Sequence, residues 1–126
     1  MDMRTPLARV RHLGASPEAT SHWWWQRLTA LALVPLLLWL VASLVWLAGA
    51  DYLTVREWVA QPWVALLLIL LQAALFHHAQ LGLQVVIEDY LHLEWPRLAA
   101  IVATKALALV LALIGIFAVI RVSLGA

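Results

Sequence analysis

WVALLLILLQAALFHHAQLGLQVVI, residues 63–87, is an apolar run interrupted by Gln72, His77, His78, Gln80 and Gln84. It does not alternate between apolar and polar side chains as a half-buried strand does, and it is longer than the ~20 helical residues that cross a ~30 Å hydrocarbon core. Inside lipid a single segment has to satisfy its own backbone hydrogen bonds, which leaves the helix. Two further runs flank it. Residues 28–50 carry no ionisable side chain, and residues 98–120 carry only Lys105. Each is again long enough to span.

Composition agrees. The 126 residues are 65% hydrophobic and 12% charged, where soluble domains carry about 25% charged residues. Too little polar surface is present to cover a soluble fold. The chain reads as an all-α membrane protein of three transmembrane helices. Residues 1–27 form an N-terminal arm with an interfacial tryptophan segment, and residues 28–126 form the membrane domain with spans at about 28–50, 63–87 and 98–120. There is no internal repeat, no low-complexity tract and no room for a second domain. Cysteine is absent, which excludes disulfides, thiolate metal sites and cysteine nucleophiles. A formal charge of +1 offers no basic surface to nucleic acid.

Arg4, Arg9 and Arg11 precede the first run, and Ala48, Gly49 and Ala50 end it with small residues, a pattern that invites comparison with a signal peptide. The run exceeds the 7–15 residues of a signal-peptide apolar core and begins too late. It is expected to be a retained span. Pro35 near its beginning removes a backbone donor, so a bend is expected there. Cations fix the orientation. Arg4, Arg9, Arg11 and Arg27 lie before the first span, while the loop over residues 51–62 sets one arginine against Asp51 and Glu57. The positive-inside rule then predicts a cytoplasmic N-terminus and, after three spans, a periplasmic C-terminus. Trp23, Trp24 and Trp25, then Trp58 and Trp63, then Trp95 precede the three spans and read as interfacial belts.

Within the second span, His78, Gly82, Val85 and Asp89 recur at helical spacing. Eleven residues at ~100° each return to nearly the same face and advance about 16 Å. In the predicted orientation His78 lies near mid-membrane, and Asp89 and Tyr90 emerge at the cytoplasmic side. An ionisable group at that depth is costly without a partner and marks a functional hypothesis. Imidazole can ligate haem iron through one nitrogen while the other donates a hydrogen bond. Gly82, one turn on, is expected to leave room for a flat ring. His77 is rotated by ~100° and heads another stripe with Gln80, Gln84 and Glu88, whose amides are expected to hydrogen-bond between helices.

The segment containing His78, Ala79, Gly82, Gln84, Val85, Asp89 and Tyr90 resembles the second transmembrane helix of the hydrophobic membrane anchor subunit of bacterial succinate dehydrogenase. SHWWWQRLTALALVPLLLW, residues 21–39, is also similar to that family in its alphaproteobacterial form. The resemblance implies a membrane anchor subunit of succinate:ubiquinone oxidoreductase, complex II, in the bacterial inner membrane. It implies that His78 is one axial ligand of haem b, with the other ligand on a companion cytochrome b subunit. It also implies that Tyr90 donates a hydrogen bond to ubiquinone, that Asp89 organises the quinone site and its proton supply, and that Arg27 lies near the haem propionates or the quinone pocket. His22 matches less securely and takes no role.

Chemistry sets what must lie elsewhere. No glycine-rich dinucleotide fingerprint, cysteine or second well-placed axial histidine is present, so flavin, iron–sulfur clusters and the second haem ligand belong to other chains. The implied partners are the cytochrome b, iron–sulfur and flavoprotein subunits, together with the lipid bilayer. Lys105, about 12 Å below Arg97 along the third span, either reaches a propionate or snorkels to the interface. On the residues alone, three other readings stay open: a homodimeric bis-histidine b-type cytochrome, a fumarate reductase anchor, and a structural anchor without cofactor.

Overall fold

A computed structural model describes residues 17–125, with side chains from residue 20 onward. Arg4, Arg9 and Arg11, and with them most of the expected N-terminal arm, lie outside the described residues. Four helices follow one another: α1 (Pro17–Trp46), α2 (Tyr52–Ala60), α3 (Pro62–Tyr90) and α4 (Glu94–Ser123). Among the described residues there is no strand. Three helices are long and apolar enough to cross a membrane, over Thr20–Trp46, Pro62–Tyr90 and Glu94–Ser123.

Every spanning helix reaches beyond its apolar run at one or both ends. The flanking residues, such as Gln26, Arg27 and Glu88, are good helix formers and continue the backbone pattern after hydrophobicity stops. α1 therefore takes in the three tryptophans and Arg27. It also continues on both sides of Pro35 as one helix, so the expected bend does not interrupt it. It closes in a turn whose Gly49 has φ 84°, a left-handed conformation that glycine adopts without steric cost.

The sequence reading took residues 51–62 as a loop, and the structure makes most of it α2. Asp51 caps this helix, its side chain accepting from the Thr54 backbone N–H at 3.2 Å, which satisfies one of the otherwise orphaned donors. Only Gln61 separates α2 from α3. Pro62 then starts α3 at a position where no intrahelical donor is needed.

α3 is the central element. It packs against α1 on one side and α4 on the other, α2 touches α3 and α4, and α1 and α4 do not pack directly. The apolar core sits at the Asp51 end, where buried Leu47, Trp58 and Val64 are joined by Trp39, Val55, Val59 and Leu68. Trp39 stacks on Trp58 with centroids 5.8 Å apart and meets the edge of Trp63 at 6.2 Å. Trp58 is only 9% exposed, so it is a core residue rather than the belt residue its position suggested. Trp23, Trp24, Trp25 and Trp95 are exposed, as a belt requires. Between α3 and α4, Gly115 lies against the Gln72 carboxamide so closely that a Cβ there would overlap it.

Candidate functional site

α3 brings His78 against α1. Its Nδ1 lies 3.0 Å from Oγ1 of Thr29, a residue only 7% exposed. The same hydroxyl lies 2.7 Å from the Trp25 carbonyl and 3.1 Å from that of Gln26. Hydrogen bonds of this kind between membrane helices contribute on average about 0.6 kcal/mol. Their larger effect is to fix where a side chain points. His78 is half-buried, and its Nε2 makes no hydrogen bond among the described residues.

Gly82, one turn further, also faces α1. A Cβ at that position would sit 3.6 Å from Nε2 of Gln26, at ordinary contact distance. The α1–α3 interface is consequently polar at this depth, with Thr29, His78 and Gln26 meeting inside it. Oε1 of Gln26 and Nε2 of His22 are buried without a hydrogen-bond partner among the described residues.

His77 faces elsewhere. It is exposed and meets the edge of Trp25 with centroids 5.8 Å apart and planes at 89°. A groove of about 800 Å³, floored by α3 and walled by α1 and α4, opens beside it and is bordered by Ser21, His22, Gln80, Gln84 and Lys105. Its floor corrects another expectation. Gln80 donates to Gln84 at 3.3 Å and Gln84 donates to Glu88 at 2.8 Å, so these amides bond along α3 in successive turns instead of between helices. Lys105 reaches this groove from α4.

Asp89 and Tyr90 end α3 and are exposed, Tyr90 by 80%. Arg27 is exposed on α1, its guanidinium 4.3 Å from the Trp23 ring centroid. The structure thus joins His78 to α1 and leaves Asp89, Tyr90 and Arg27 exposed. It does not bring those three into contact with one another or with His78. Among the described residues no cluster of three metal-ligating side chains forms. Thr29 was missed in the sequence. Its only signal there is a lone hydroxyl at the start of an apolar run.

A helical bundle with an open imidazole, a polar face and extensive exposed apolar surface defines a multi-pass membrane subunit. The chain belongs to the succinate dehydrogenase/fumarate reductase transmembrane subunit family, whose model matches residues 1–120. It is 31% identical to the succinate dehydrogenase hydrophobic membrane anchor subunit of Rickettsia bellii (strain RML369-C), over 82% of this chain and 83% of that one. It is 26% identical to the protein of the same description from Rickettsia conorii (strain ATCC VR-613 / Malish 7), over 71% and 72%. The succinate dehydrogenase membrane anchor subunit of Reclinomonas americana is 25% identical over 80% and 87%. No solved structure matches the chain significantly. Family and spans together make it a multi-pass protein of the bacterial inner membrane.

Proposed function

We propose that this chain anchors a succinate:ubiquinone oxidoreductase in the membrane, supplies one axial ligand of haem b and forms part of the ubiquinone pocket. The observation that carries this reading is His78. It is half-buried at membrane depth, tethered through Nδ1 to Thr29, and it lies eleven residues before Asp89, with Tyr90 next. The residues fit a haem. One imidazole nitrogen is engaged and the other is unpartnered among the described residues, which is the arrangement a metal-bound histidine adopts. With a single such imidazole, the second ligand comes from a companion cytochrome b subunit, and the iron–sulfur and flavoprotein subunits complete the complex. Haem b, when bound, supplies one-electron redox capacity within the membrane.

The remaining roles follow from position. Reduction of ubiquinone consumes protons, so its headgroup belongs beside an aqueous face with a donor at hand. Tyr90, exposed at the end of α3, donates through its hydroxyl, and Asp89 beside it organises the pocket and passes protons. Arg27 compensates negative charge, on the haem propionates or at the quinone pocket, and reaches either by leaving the Trp23 ring. With the arginines of the N-terminal arm on the cytoplasmic side, the Tyr90 end of α3 faces the cytoplasm and the C-terminus the periplasm. The assembled complex then passes electrons from succinate to the quinone pool.

The test is haem retention in the complex purified from native membranes. His78→Ala is expected to lose most of the haem and His77→Ala to keep it, read from reduced-minus-oxidised spectra per complex. Native haem content and spectrum in His78→Ala would remove the ligand assignment. Copurifying flavin- and cluster-bearing subunits test the anchor role in the same preparation.

A further inference from the structure

We infer that Thr29 is a positioning residue that holds the His78 proton on Nδ1 and turns an unprotonated Nε2 toward the iron. This rests on the haem reading above. The threonine hydroxyl has one hydrogen and two lone pairs. Two carbonyl oxygens, of Trp25 at 2.7 Å and Gln26 at 3.1 Å, can only accept, so the hydroxyl hydrogen points back into its own helix in the i→i−4 bond that threonine commonly makes. A lone pair is what remains facing α3. His78 Nδ1, at 3.0 Å, meets that lone pair and must be the protonated nitrogen. In a neutral imidazole the proton on one nitrogen leaves the other as an acceptor. Nε2 is therefore free to ligate.

Burial and stiffness make the device effective. Thr29 is 7% exposed, so water does not compete for the bond. Its β-branched side chain has few rotamers within a helix, and the back-bond holds it in one of them. The acceptor is accordingly fixed in space, and the His78 ring plane turns with it. A hydrogen bond donated by the distal nitrogen also makes the ligating nitrogen a better electron donor, which favours oxidised iron and lowers the potential.

The experiment compares Thr29→Val, Thr29→Ser and His78→Ala in the assembled membrane complex, reading haem content, midpoint potential and the low-spin electron paramagnetic resonance signal. Valine keeps the shape and removes the acceptor. It is expected to raise the midpoint potential and shift the resonance signal, while serine, which keeps the hydroxyl, stays near the native values. A valine variant with native potential and signal overturns the inference, as does a serine variant displaced as far as valine, which would assign the effect to the methyl group. If valine blocks assembly, Thr29→Ala removes the same hydroxyl without adding bulk and is held to the same expectation. His78→Ala separates the two claims. Haem lost in His78→Ala but native behaviour in Thr29→Val sinks the threonine role alone, and native haem in His78→Ala sinks the ligand assignment itself.

Discussion

One position separates His77 from His78, and about 100° of helix sends one to a Trp25 edge and a wide groove, the other to a buried hydroxyl. The spacing of His78, Asp89 and Tyr90 was legible because helical period is local. Thr29 was not, because the pairing of residues 49 apart depends on how two helices register, which no local pattern encodes. The neighbour of Gly82 is likewise on another helix, at Gln26. Tyr90→Phe is expected to lower quinone reductase activity at least tenfold, about 1.4 kcal/mol of lost stabilisation, while succinate oxidation with an artificial acceptor persists. Unchanged quinone kinetics would take Tyr90 out of the pocket. Gly115→Ala is expected to destabilise α3 against α4 by about 1 kcal/mol, the low end for overpacking, because the obstructing atoms are the far end of the Gln72 side chain. Gln72→Ala should relieve that loss in a double-mutant thermal-unfolding cycle.

At the scale of elements, α2 is the least expected piece and the spanning helices the most expected. Hydropathy marks a long apolar run clearly but says little about a nine-residue helix that carries Arg56 and Glu57 beside Trp58. Its signals were present in the Asp51–Thr54 cap and in Pro62, which stops one helix and starts the next. Trp58 anchors it, and Trp58→Ala is expected to cost about 3 kcal/mol, at the lower bound for emptying a buried aromatic site, measured as a lowered unfolding temperature of the complex. The cap carries a pH dependence. Hydrogen bonds from the Thr54 side chain and backbone hold the Asp51 carboxyl below its usual value of 3.8. A folded-state value lower than the unfolded one means that the cap's contribution is complete above the usual value and fades as pH falls through the lowered one. Amide protection at the start of α2, corrected for the intrinsic exchange rate, should therefore fall in acid, and Asp51→Asn should flatten that dependence. The glutamines of α3 teach a related lesson: residues four apart on one helix are already neighbours, so Gln80, Gln84 and Glu88 satisfy each other before any second helix is needed.

At the scale of the molecule, α3 stands between two helices that do not meet, and α4 has no buried residue at all. Such a bundle keeps much of its apolar surface for lipid and for companion subunits. Expressed without companions, the chain is expected to reach the membrane and bind less than a tenth of the haem it holds in the complex, a comparison made by spectra of membranes with and without the cytochrome b subunit. α1 is secured through α3 and the tryptophans rather than from both flanks. Thr29 lies ten residues from Trp39, about 15 Å along the helix axis, so its bond to His78 and the stack of Trp39 on Trp58 are two separate attachments of the same helix. The outer flank of α1 is left to lipid or to a companion subunit, and Leu31, Leu38 and Val45 are among the residues it exposes there.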